Sequence, residues 1–130
     1  MASLNMSGPY PIWIKNEEDE LVKNTGNEVS SDIIFGNYAF GISTATGFRP
    51  YYVGRSDSGL LKEINQQIDK GKADGCDKFK YSAANNATEA YEKECQNYHD
   101  FKPKYNKVHP DKPKNNGHYK CPVKGCEYHE

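Results

Sequence analysis

No apolar run in this sequence approaches the roughly 20 residues that a membrane-crossing helix needs, and its opening, MASLNMSGPYPIW, has neither a basic start nor a long apolar centre. The expectation is a soluble, cytoplasmic chain with no membrane partner. Cysteine is scarce. Cys76, Cys95, Cys121 and Cys126 are too few for a disulfide scaffold, and clustered thiols in a reducing compartment more often hold metal. Net charge is close to zero, at −1, which argues against strong non-specific binding to nucleic acid and for weak binding that falls with salt. No internal repeat is present. Apolar residues make up 35% of 130, enough for one compact domain with a modest core.

What the chain does have is tyrosine: ten, against five phenylalanines and one tryptophan. Such rings pack through an apolar body and keep a polar hydroxyl, so they suit sites as well as cores. Charge is also unevenly placed. Residues 1–35 carry six acids against two lysines, whereas residues 101–124 carry seven lysines against one aspartate, so phosphate would be met in the second half.

The elements follow from pattern and punctuation. Residues 11–15 (PIWIK) form a short apolar run, an edge strand or a packed lead-in. Asn16 then stands as N-cap for a brief helix, NEEDELVKNTG, with Gly26 to stop it. IIFGNYAFGIS and PYYVGR read as two strands of a hairpin around STATGFR. Because strand side chains alternate, Tyr38, Phe40 and Ile42 share one face, and Tyr52 and Gly54 share one. Leu60, Leu61, Ile64 and Ile68 recur at helical spacing until Gly71, and DKFKY alternates as a third strand would. A last helix runs from Asn86, with Glu89 completing a capping box, to about Phe101 before Pro103. The fold class is α+β, with a small three-stranded antiparallel or mixed sheet flanked by helices. Residues 1–32 are the lead-in, 33–107 the domain and 108–130 a Lys/Pro-rich tail packed on it.

One residue stands out on the last helix. Ala87, Ala90, Tyr91, Tyr98 and Phe101 form the stripe that should face the sheet, with Glu89, Glu92, Lys93, Gln96, Asn97 and Asp100 on the wet side, yet Glu94 falls inside the stripe. A carboxylate buried among aromatics costs several kcal/mol unless it is paired, hydrogen-bonded or bound to a cation. Tyrosine hydroxyls or a wet stripe edge would satisfy it, and so would a metal or a catalytic role.

GNY at 36–38, a hairpin, YVG at 52–54, an amphipathic helix, an inward glutamate four residues after Ala90 and Asn106 in PKYN occur in an order that resembles the GIY-YIG nuclease domain over about residues 33–107. The resemblance implies hydrolysis of DNA phosphodiesters, with RNA left open as a partner. It implies that Tyr38 and Tyr52 contact and help deprotonate the attacking water, and that Glu94 holds one Mg2+ or Mn2+ ion. It also carries Asn106 over as a site residue. The family's helical arginine aligns here with Glu63, and the histidine four residues on with Gln67. Arg55 and Lys62 are the cations near enough in sequence to replace that arginine, and Arg55 leaves its strand on the face opposite Tyr52.

The tail offers a second chemistry. Cys95 and His99 lie four apart on one helix, and Cys121 and Cys126 form a C-x4-C knuckle, together the four ligands that tetrahedral structural zinc takes. His109, His118 and His129 are alternative ligands, and buried free thiols or a frayed tail are alternative states. Three functions are therefore open: a metal-dependent endonuclease, a module of the same fold that has lost turnover and binds nucleic acid or protein, and a zinc-stapled interaction protein.

Overall fold

A computed structural model describes residues 3–114 and 117–129. The chain is α+β. Its main sheet is antiparallel throughout and four-stranded, in the order β1 (Ser7–Pro11), β6 (Lys78–Ala83), β4 (Gly36–Thr44) and β5 (Gly47–Ser56). The sheet has one strand more than the three expected, and it is β1: SGPYP has a glycine and two prolines, which a central strand would not tolerate and an edge strand does. Residues before 33 thus complete the sheet, and Leu4, Ile12 and Val29 are buried in the core.

The helix expected over NEEDELVKNTG is absent. Trp13–Lys15 (β2) pairs with Leu21–Lys23 (β3) in a two-stranded ribbon, and only Thr25–Glu28 (α1) is helical. Asn16 turns the chain instead of capping a helix, because its side-chain oxygen accepts the N–H groups of Glu18 and Glu20, both at 2.9 Å.

β4 and β5 form the expected hairpin, in register with Asn37 opposite Arg55, Tyr38 opposite Gly54 and Phe40 opposite Tyr52. A bulge after Phe40 breaks the alternation, and Ile42 is left half-buried. Two motif glycines have steric reasons. A Cβ on Gly36 would come within 2.6 Å of the Ser82 carbonyl and 2.9 Å of Leu60, and one on Gly54 would overlap the Tyr38 ring.

Two helices sandwich this sheet. Leu60–Asp69 (α2) buries Leu60, Ile64 and Ile68 against Tyr38, Phe40 and Phe79. Its end is marked by Gly71 at φ 86°, the left-handed residue that the sequence placed there. Ala87–Phe101 (α3) covers the other face, where Ala39 and Val53 meet Tyr98 and Phe101. The Asn86 side chain accepts the Glu89 N–H at 2.9 Å, and Glu89 reaches back to the Asn85 N–H at 3.1 Å, one residue short of the reciprocal bond in a capping box.

After α3 the chain runs along the outer edge of β5. Tyr105 N–H donates to the Tyr51 carbonyl at 2.8 Å, and the Asn106 amide bonds both the N–H and the carbonyl of Val53, each at 2.9 Å. The described part of the tail ends in a compact knuckle with a 3-10 turn over Glu127–His129, and its Tyr119 and Cys121 pack on Tyr91 and Cys95 of α3. Asn97, expected on the wet face, is buried at 3% exposure. Among the described residues, no helix is long and apolar enough to cross a membrane.

Candidate functional site: a tyrosine–carboxylate cavity and a cysteine–histidine cluster

The cavity opens where β4, β5 and α2 meet the segment that follows α3, and Tyr38, Tyr52, Glu63 and Glu94 all line it. The hairpin register places Tyr38 and Tyr52 on the α2 face, ring centroids 6.2 Å apart. Gly54, lacking a side chain, leaves room for the Tyr38 ring across the strand.

Arg55 projects to the opposite face, as strand alternation requires, and meets α3. Its Nη1 donates to Glu94 Oε1 at 2.7 Å, its Nε to the Asp57 carboxylate at 3.1 and 3.3 Å, and its guanidinium lies 5.3 Å from the Tyr91 centroid. Glu94 is therefore inward, at 8% exposure, and ion-paired. Burial pushes its carboxyl up to about 7 even against the pull of Arg55. Burial also lowers Arg55, but Glu94 and Asp57 outweigh it and raise the guanidinium above its ordinary value.

The phenols are held protonated. Burial, with Tyr52, Glu63 and Glu94 nearby, lifts Tyr38 well above its ordinary value, and burial and the two carboxylates lift Tyr52 to about 12. Tyr38 donates its hydroxyl to Glu63 Oε2 at 3.0 Å, and Gln67 Nε2 donates to the same oxygen at 3.1 Å. The two positions that depart from the family pattern thus point into the cavity and engage its first tyrosine. Alignment with a lost arginine does not reveal this role for Glu63; its place one turn below Leu60, on the helix face that carries Gln67, does. Asn106 lines the same cavity, with its amide committed to the Val53 backbone. The far wall is basic and comes from the segment that holds Lys107, Lys112 and Lys114.

On the outer flank of α3 the ligand atoms of His99, His109, Cys121 and Cys126 lie within 4.8 Å of one another. Three of these are the residues anticipated for zinc. His109 takes the fourth place and Cys95 does not: the Cys95 thiol is turned into the apolar contact with Tyr91, Tyr119 and Cys121, where burial raises it to about 12. Cys76 is buried against α2 and the sheet, away from this cluster.

No protein-family model, curated protein or solved structure matches this chain.

Proposed function

We propose that the chain is a divergent endonuclease of the GIY-YIG type, hydrolysing phosphodiester bonds of DNA with Mg2+ or Mn2+ at Glu94. The observation that carries this reading is the convergence of Tyr38, Tyr52 and a buried Glu94 on one cavity with a lysine-bearing wall. Glu94 suits a hard cation. Burial leaves its carboxyl raised to about 7 even beside Arg55, so a divalent cation would displace the proton there and meet the oxygen donors that Mg2+ and Mn2+ prefer. The bound ion would supply Lewis-acid stabilisation of charge on the phosphate and lower the pKa of attacking water.

The protein's own groups divide the remaining work. Tyr52 donates from the cavity wall toward the water or a phosphate oxygen. Tyr38, whose one hydroxyl proton is donated to Glu63 at 3.0 Å, would accept a hydrogen bond from the water and pass its own proton to that carboxylate. Arg55, oriented by Asp57 and Glu94, supplies the fixed cation that the α2 position lacks. The cysteine–histidine cluster is read as a structural zinc site, separate from the site of hydrolysis.

Glu63 favours a second reading, in which the fold binds nucleic acid or protein without turnover. A carboxylate at a phosphate-facing position repels substrate, and losing one charge-stabilising donor costs about 3–4 kcal/mol, roughly 10²–10³ in rate. Nicking of supercoiled plasmid with Mg2+ or Mn2+ separates the two. Native cleavage that disappears in Glu94→Ala supports the nuclease, and cleavage that persists in Glu94→Ala refutes it. An inactive native chain that gains cleavage in Glu63→Arg establishes the second reading.

A further inference from the structure

The tail cluster and the cavity share a residue. His109 is one of the four clustered ligands and also lines the tyrosine cavity, between Lys107 on one side and Lys112 and Lys114 on the other. Within this segment, KVHPDKPK, only Pro110 and Pro113 are buried and Val108 is exposed, so little apolar surface holds it.

The cluster has the marks of a tetrahedral zinc site. Zn–S bonds of about 2.3 Å and Zn–N bonds of about 2.0 Å set ligand atoms roughly 3.3–3.8 Å apart, so atoms already within 4.8 Å need to close by only about 1 Å. His109 Nδ1 lies 3.0 Å from the Pro110 carbonyl, which can only accept, so Nδ1 carries the proton and Nε2 presents a lone pair. That Nε2, and the Nε2 of His99, are buried with no hydrogen-bond partner. Two orphaned imidazole nitrogens facing two sulfurs are costly as they stand and are satisfied by a cation. The Tyr128 N–H lies 3.5 Å from Cys126 Sγ, as a donor to a metal-bound thiolate would.

We propose that zinc held by His99, His109, Cys121 and Cys126 governs the nucleic-acid affinity of the cavity by fixing residues 107–114 as its basic wall. The wall is then held by the Asn106 clasp on Val53, by the buried Pro110 and Pro113, and by His109, which stacks on Tyr128 at 4.2 Å and would bind the ion. Removing zinc takes away the coordination bond at His109 and loosens the common surface of Lys107, Lys112 and Lys114. The ligand set stands on its own geometry; the link to affinity rests on the nucleic-acid reading above.

The test uses the full chain. Metal analysis is expected to find one zinc per chain, and Co2+ substitution to give the visible bands of a tetrahedral thiolate site. His109→Ala is expected to lose the metal, whereas Cys95→Ala and Glu94→Gln keep it. Binding of a fluorescent DNA duplex is then measured against salt with and without chelator, with circular dichroism showing that the metal-free sheet remains folded. Loss of three lysine–phosphate contacts is expected to reduce the slope of log K against log salt by about 2–3, and a Lys112→Ala/Lys114→Ala chain is expected to keep its zinc and bind less tightly. A chain without zinc, or one that loses it in Cys95→Ala and retains it in His109→Ala, overturns the site. Equal affinity with and without zinc overturns the coupling alone, and a zinc-loaded chain that binds no duplex at any salt overturns the coupling together with the nucleic-acid reading.

Discussion

At the scale of single residues, the decisive group is Glu94. Its carboxyl, raised by burial to about 7, keeps a proton in the folded metal-free chain at pH values where the unfolded chain has released it. The native state therefore binds more protons between about pH 4.5 and 7, and stability falls as pH rises through that window. Urea unfolding from pH 5 to pH 7.5 should show the native chain losing about 2 kcal/mol relative to Glu94→Gln, because His99, lowered by burial, adds an opposite slope to both. Glu94→Gln, which cannot ionise, should lack that slope; equal pH dependence in both proteins would place the titrating group elsewhere. The inward position of Glu94 was legible from its place in an aromatic stripe, and its partner was not. Arg55 lies 39 residues away and reaches it only because β5 and α3 pack face to face. The exchange of Cys95 for His109 has the same origin. Helical spacing makes Cys95 and His99 neighbours, but the tail's path decides which flank of α3 the knuckle faces.

Among the elements, hairpin, α2 and α3 were plain in the sequence because periodicity, glycines and caps agreed. The first 32 residues misled because local signals competed there: Asn16 followed by four acidic residues suits a helix start, yet the same asparagine also organises a tight turn, and strand pairing settled the matter. A further prediction concerns the clasp on β5. Asn106 makes two bonds to Val53, each worth about 1 kcal/mol, so Asn106→Ala should lower stability by about 1–3 kcal/mol. Amide exchange should report it locally, with the Val53 N–H losing protection well beyond the global change. Unaltered exchange at Val53 would mean that Tyr105 alone holds the edge.

Seen whole, the molecule separates its charge, with acids concentrated in the first 35 residues and lysines after residue 101. The asymmetry was legible from composition; that the lysine segment forms one side of a cavity was not, because it depends on the clasp and the knuckle rather than on any periodic pattern. Chelation should therefore expose the tail before the sheet. Trypsin is expected to cut first after Lys114, Lys120 or Lys124 in chelator, leaving a protected fragment with β1 to α3, whereas the zinc-loaded chain resists at those sites. Cleavage at the same rate in both conditions would show that packing of Tyr119 and Cys121 on α3 suffices to hold the tail.

Helix α3 carries Glu94 toward the sheet and His99 toward the knuckle, five residues and about 7.5 Å of helix rise apart. Insertion or loss of one amino acid between them would swing one by about 100° relative to the other. The cavity and the cysteine–histidine cluster are therefore phased like cams on one shaft, and this short interval should tolerate substitution far better than any change in length.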